Sequence, residues 1–131
     1  WLKHKEIEQR SKDIFGKLRI KAPGIETAVG TLSGGNQQKV VLAKWLVRNV
    51  RLLILDEPTR GIDVGAKQEI YNLITELSKQ GIAILMISSD MPEVLSMSHR
   101  IAVVARGKIA GVLSHEEATQ DKVMKMIVEA N

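Results

Sequence analysis

Cysteine is absent from the 131-residue chain, so neither a disulfide nor a thiolate metal site can form, which fits a reducing cytoplasm. Aromatic residues are limited to Trp1, Phe15, Trp45 and Tyr71. The core must therefore be built from Ile, Leu, Val, Ala and Met. No apolar run approaches the length of a membrane-spanning helix, and the first residues lack the layout of a signal peptide. A block of like charge is missing as well: 19 Lys and Arg are scattered among 15 Asp and Glu, leaving a formal charge of +4. Without interleaved basic and aromatic residues, nothing points to a nucleic-acid face. The composition that remains, 44% apolar and 26% charged, is that of a soluble globular protein with room for one domain but not two.

Alternating helix and strand patterns organise the chain. Residues 2–19 read as a charged amphipathic helix with Leu2, Ile7, Ile14, Phe15 and Leu18 on its buried side. Pro23, Gly24 and Gly30 make residues 20–32 a loop with at most one short turn. A second helix is expected over 35–48, burying Val40 or Val41, Leu42, Ala43, Leu46 and Val47. The run Leu52–Leu55 suits a parallel strand covered on both faces. Asp63 is placed to cap a helix reaching Lys79, with Ile70, Leu73, Ile74 and Leu77 at the helical period and Gly81 ending it. A second buried strand is expected over 82–87, then a helix opened by Asp90, Pro92 and Glu93. Residues 101–105 and 108–113 flank Arg106-Gly107 as a hairpin. Ser114 and Glu117 form a capping box for a last helix ending near Glu129. The expected fold is an α/β domain with a mostly parallel sheet and crossover helices.

Two motifs carry chemistry. Leu32-Ser33-Gly34-Gly35-Asn36-Gln37-Gln38-Lys39 lies directly before a helix, whose first amides are unpaired donors at its positive end. Glycines there let the backbone approach a ligand, and Ser33 adds a hydroxyl, so the stretch suits an anion such as phosphate. A glycine-rich cap without a ligand would read the same. The second motif is Asp56-Glu57-Pro58-Thr59 at the end of an apolar strand, where α/β proteins bind ligands. In phosphoryl transfer a strand-end Asp supports magnesium, and a following acid can polarise the attacking water. Each motif is weak alone. Their order and spacing, one helix apart, are specific.

The stretch TLSGGNQQKVVLAKWLVRNVRLLILDEPTRGIDVGAK, residues 31–67, resembles the signature motif, Walker B strand and D-loop of an ABC ATPase. Its wording around Asn36 and Asp63 is similar to the second nucleotide-binding domain of bacterial ribose, xylose and galactose importers, nearest the ribose type. The likeness continues through Ser88-Ser89-Asp90-Met91-Pro92-Glu93 and the hairpin. It implies the C-terminal part of one P-loop NTPase domain. Residues 1–48 would be the helical and signature region, a remnant of the helical subdomain. Residues 49–131 would be the Walker B, D-loop and switch-loop core, closing in a β-hairpin and helix. The resemblance also implies ATP and Mg2+ as cofactors. Ser33, Gly34, Gly35, Asn36 and Ser89 would bind nucleotide, Asp56 would hold the metal, Glu57 would be the general base, and Asp63 would couple the two domains at their interface. The implied partners are a second nucleotide-binding domain, membrane permease subunits and a periplasmic or extracellular sugar-binding protein, at the cytoplasmic face of the membrane and with no nucleic acid.

Two departures from the family pattern shape the expected role. No G-x-x-x-x-G-K-[ST] loop occurs, so nothing in the chain cradles the β- and γ-phosphates of an ATP of its own; the glutamine-bearing loop is missing too, and the chain is expected to start within a domain. Ser89 stands where most of the family has His, and a hydroxyl donates one hydrogen bond but carries no positive charge. The Glu57 site is therefore expected to be weak, with the segment supplying its signature motif in trans; Ser89 acting with a water is the alternative. Two other classes share these motifs: a non-transport ABC ATPase on the ribosome or DNA, and a non-catalytic regulatory module. His4, His99 and His115 show no metal-ligand spacing.

Overall fold

The computed structural model describes residues 3–48 and 50–130. Leu2, expected on the buried side of the first helix, lies outside the described residues, as does Trp1. The chain divides into two compact units, residues 1–87 and 88–131.

In the first unit, α1 spans His4–Lys17. Ion pairs one turn apart, Arg10–Glu6 at 2.9 Å and Lys12–Glu8 at 2.6 Å, lie along its surface. The expected buried stripe is only partly realised. Leu18 at the C-cap is buried, Ile14 and Phe15 are half-buried, and Ile7 is exposed. Ile14 and Phe15 line a cleft with Ile20, Leu32, Val40 and Ala43. The loop that follows contains a single 3₁₀ turn, Val29–Thr31.

Helix α2 spans Gly34–Leu46 and buries Gly35, Lys39, Leu42, Ala43 and Leu46. Those positions recur every three or four residues, so they share one face. Of the alternatives Val40 and Val41, Val40 is half-buried and Val41, off this stripe, is exposed; Val47, expected to be buried, is the C-cap residue and is exposed. Strand β1, Leu52–Asp56, pairs in parallel with β2, Ala83–Ile87, through α3, Val64–Lys79. The register sets Leu52 opposite Ala83 and Asp56 opposite Ile87. Helix α3 begins as the sequence implies, with the Asp63 side chain accepting from the Ala66 N–H at 2.9 Å, and buries Ile70, Leu73, Ile74 and Leu77. It packs against β2 and α2.

One expectation fails here. Leu53 and Leu55 are buried, but Leu52, Ile54, Leu85 and Ile87 are each about half exposed or more. Side chains alternate across a strand, so these four lie on one face of the β1–β2 pair. Among the described residues that face is uncovered, and the strand is not sandwiched.

The second unit contains α4, Met91–Met97; β3, Arg100–Ala105; β4, Lys108–Ser114; and α5, Gln120–Glu129. β3 and β4 form the expected antiparallel hairpin, with Arg106 and Gly107 both at positive φ in the turn. Ile101, Val103 and Val123 centre its core. The Ser114–Glu117 box forms, since Ser114 N–H donates to Glu117 Oε2 at 3.0 Å and Glu117 N–H to Ser114 Oγ at 3.3 Å. It closes a turn and not a helix. The last helix starts later, capped by Thr119 Oγ1 accepting from Lys122 N–H at 3.2 Å.

A polar latch joins α2 to α3. Lys39, almost fully buried, donates from Nζ to Glu69 Oε2 at 2.7 Å and to the Arg19 carbonyl at 3.0 Å. Lys21 Nζ adds a bond to Glu69 Oε1 at 3.1 Å. A buried ammonium without partners is costly, so Lys39 depends on these acceptors. The hydrogen bond from Lys39, then that from Lys21, holds the Glu69 carboxyl below the ordinary glutamate range. Because the folded-state value is depressed, the associated stability is present above the unfolded value and lost as pH falls through the folded one. Thermal unfolding of the complete subunit should therefore show Glu69→Gln melting below the parent at pH 7, with the gap shrinking below about pH 4. An equal gap at both pH values would remove the carboxylate charge from this account.

Candidate functional site

The first half of the site is the entry to α2. Ser33 is its N-cap residue, in extended conformation, and its side chain makes no capping bond to the helix backbone. Instead Ser33 Oγ accepts from Asn36 Nδ2 at 2.9 Å, while Asn36 Oδ1 accepts from the Lys21 N–H at 2.8 Å. The Gln37 side chain closes the approach by donating to the Leu32 carbonyl at 2.8 Å. Ser33 and Gly34 are exposed, so the first amides of the helix and the hydroxyl are presented at one open end.

The two glycines have different physical reasons. A Cβ on Gly35 would come within 2.7 Å of Ala66 Cβ and 3.8 Å of Ile62 Cγ2, so the start of α2 packs on the start of α3 only because position 35 has no side chain. A Cβ on Gly34 would meet nothing nearer than the Gly61 carbonyl at 3.8 Å. Gly34 leaves the loop open; Gly35 fixes where it sits. The contact brings the signature loop beside residues 61–66, and so beside the Asp63 cap.

The second half of the site is the end of β1. Asp56 is the last strand residue and is exposed. The ladder continues one bond beyond it, with Glu57 N–H donating to the Ile87 carbonyl at 2.8 Å. Glu57 itself has φ 48, a left-handed conformation that residues with a Cβ rarely adopt. Pro58 and Thr59 follow, both buried, and Arg60 N–H donates back to the Glu57 carbonyl at 3.1 Å. Proline suits the second position of such a turn. Gly61, at φ 73, then leads the chain to the Asp63 cap. The whole passage from strand to helix is a tight, fully specified turn with Asp56 and the half-buried Glu57 at its start. Strain of this kind concentrates at functional positions.

Ser89 belongs to the second unit and is exposed. Its loop is built from its neighbours. Ser88 Oγ donates to the carboxylate of Glu93 and accepts from Asp90 N–H at 3.0 Å, and Asp90 Oδ1 accepts from Glu93 N–H at 3.2 Å, capping α4. Glu93 is buried, so this loop is anchored from below. Among the described residues no group of three or more His, Asp or Glu could hold a metal alone. The Asp56 carboxylate is a hard oxygen donor of the kind that would suit magnesium.

Ser33 precedes α2, Gly34, Gly35 and Asn36 open it one residue earlier than expected, Asp56 ends β1 with Glu57 next, and Asp63 caps α3. Sequence reasoning missed Lys39 and Glu69. Lys39 falls on the Gly35, Leu42, Ala43, Leu46 stripe, and a charge at such a position is the signal that it needed a buried partner.

A parallel strand–helix–strand unit carrying acidic residues at the strand end, with a glycine-rich helix entry docked beside the next helix, defines the nucleotide-binding cassette class of P-loop NTPase fold. Residues 3–60 match the family model described as ABC transporter. The chain is 60% identical over 122 residues to the xylose import ATP-binding protein XylG of Moorella thermoacetica, covering 92% of this chain and 24% of that protein. It is 60% identical over 118 residues to the ribose import ATP-binding protein RbsA 2 of Streptomyces coelicolor, covering 90% and 23%. The solved structure of MJ1267, an ATP-binding cassette of an ABC transporter, matches with a TM-score of 0.81 at 26% identity, covering 96% of this chain and 52% of that one. Over the residues matched, the chain is similar to the ABC transporter ATP-binding cassettes. It spans about a quarter of the length of the curated relatives it matches.

Two substitutions test the geometry in the complete subunit. Gly35→Ala should lower stability by about 1–3 kcal/mol through overpacking against Ala66, whereas Gly34→Ala should leave it unchanged or slightly raised. Equal melting temperatures for the two would remove the packing role of Gly35. At the strand end, Glu57→Gly should be more stable than Glu57→Ala by about 1 kcal/mol, because only glycine relieves the left-handed conformation. Chemical denaturation of both variants measures that difference.

Proposed function

We propose that this chain is part of the ATP-hydrolysing subunit of an importer for a pentose or related sugar, and that it acts mainly by supplying its signature loop to an ATP held by a second nucleotide-binding domain. The observation that carries this reading is the open end of α2. Ser33 and Gly34 are exposed and the hydroxyl is held in place, while Gly35 anchors the loop on α3. The names and identity of the xylose and ribose import relatives support the sugar-import class.

In this reading the Ser33 hydroxyl and the first amides of α2 donate to γ-phosphate oxygens, where negative charge must be held during transfer. Asp56 would hold Mg2+, which would supply positive charge to offset that of the phosphate oxygens. Glu57, turned off the strand end by its left-handed backbone, orients a water on the chain's own side. That side is the weaker one, because Ser89 brings no positive charge to the switch loop. Asp63, holding the entry of α3 beside the signature loop, links the two functional segments. The partners are a second nucleotide-binding domain, permease subunits and an external sugar-binding protein, with this chain at the cytoplasmic face of the membrane.

ATP turnover by the complete transporter tests the assignment. Ser33→Arg should reduce turnover by about a hundredfold, the scale of losing an oxyanion donor, and Glu57→Gln should reduce it less. Intact turnover in Ser33→Arg would sink the trans role. A larger loss from Glu57→Gln would make the local site the active one.

A further inference from the structure

Both ends of the Asn36 side chain, in the signature loop, are engaged within the chain. Its Nδ2 donates to Ser33 Oγ at 2.9 Å, and its Oδ1 accepts from the Lys21 N–H at 2.8 Å. The Lys21 side chain in turn bonds Glu69, which also holds the buried Lys39 of α2. Lys21 is thus held at both ends, its side chain bonded to Glu69 of α3 and its backbone N–H to the Asn36 amide that faces Ser33. A serine hydroxyl has one proton to give and lone pairs that accept. With Asn36 supplying a donor to its oxygen, the Ser33 proton is directed away from Asn36.

We propose that Asn36 is a positioning residue for Ser33: it sets the polarity of the hydroxyl so that Ser33 donates to an anionic oxygen, and it does not itself bind the nucleotide. The inference rests on the reading of Ser33 as a phosphate donor. Its chemistry is a matter of preorganisation. A hydroxyl already aimed at the position where charge develops needs no reorientation there, and such donors act chiefly on the chemical step. Lys21 contributes through its backbone, which fixes the carbonyl end of the Asn36 amide and so decides which end faces Ser33. The Lys39–Glu69 latch keeps that segment in register with α2.

The test is a double-mutant cycle on ATP turnover by the complete transporter, using Ser33→Ala, Asn36→Leu and the pair. Leucine keeps the branched shape of asparagine and removes both polar ends without adding charge. Asn36→Leu alone should lower kcat by about tenfold with KM for ATP within about twofold, and in the Ser33→Ala background it should cost less than about twofold more. Asn36→Ser, run through the same cycle, gives the comparison if the leucine variant does not fold as judged by circular dichroism. A full additional loss in the Ser33→Ala background would overturn the proposal while leaving Ser33 as a donor, because Asn36 would then act independently. Unchanged turnover in Ser33→Ala would overturn the reading of Ser33 and this inference with it. A rise in KM with kcat preserved in Asn36→Leu would make Asn36 a nucleotide contact and reject the positioning role.

Discussion

The first unit depends on the approach of α2 to α3 at their N-terminal ends. Gly35 lies so close to Ala66 that no side chain fits between them, and one turn further along α2 the buried Lys39 ammonium is satisfied by Glu69 and a backbone carbonyl. The apolar contact is short-range and unforgiving, while the ionic one is directional; together they set both the distance and the rotation of one helix on the other. The signature loop and the Asp63 cap are carried on the two ends so joined. Anything that shifts the helices shifts both functional segments at once. The latch stabilises only modestly by itself, since Glu69 is partly exposed to water. Its larger consequence is geometrical, because a lysine on a buried stripe has few arrangements in which its charge is met.

The strand end obeys a different constraint. β1 must stop at Asp56 and turn within a few residues into α3, and the backbone absorbs the change of direction at Glu57, which takes a left-handed conformation, and at Gly61. Glycine at position 57 would relieve the strain, but it would also remove the carboxylate. Retaining an acid in a conformation that disfavours it is consistent with a role for that carboxylate beyond the fold. Near it, Leu52, Ile54, Leu85 and Ile87 leave an apolar sheet face uncovered among the described residues. The chain spans only part of its relatives' length, and burial patterns inferred for a whole sheet do not transfer to this segment unchanged.

Much of the local structure was legible because it rests on short-range chemistry. The Asp63 cap, the α3 stripe, the Asp90 cap and the hairpin around Gly107 all involve residues within a few positions of one another. The Ser114–Glu117 pair shows the limit of that logic. Its reciprocal bonds form as read, yet the chain continues as a turn, and Thr119 caps the helix instead. A capping box satisfies backbone donors wherever it occurs; whether a helix follows depends on what the next turn can bury, and here Val123 is the residue that joins the core. Likewise Val41 was as apolar as its buried neighbours, and its position on α2 left it off the buried face.

The glycine-rich entry to α2, the strand ending in Asp56-Glu57 and the cap at Asp63 were determined by the sequence alone, because each is a local pattern whose chemistry is complete within about eight residues. That was enough to name the family and the residues worth testing. The tertiary structure decided how those residues serve. It placed Gly35 against Ala66, turned Asn36 inward between Lys21 and Ser33, and paired Lys39 with Glu69. Each of these joins positions fifteen or more residues apart, or depends on such a contact, and composition and periodicity hold no information about which side chains meet across that distance. Only packing, with its demand that every buried polar group find a partner, selects them.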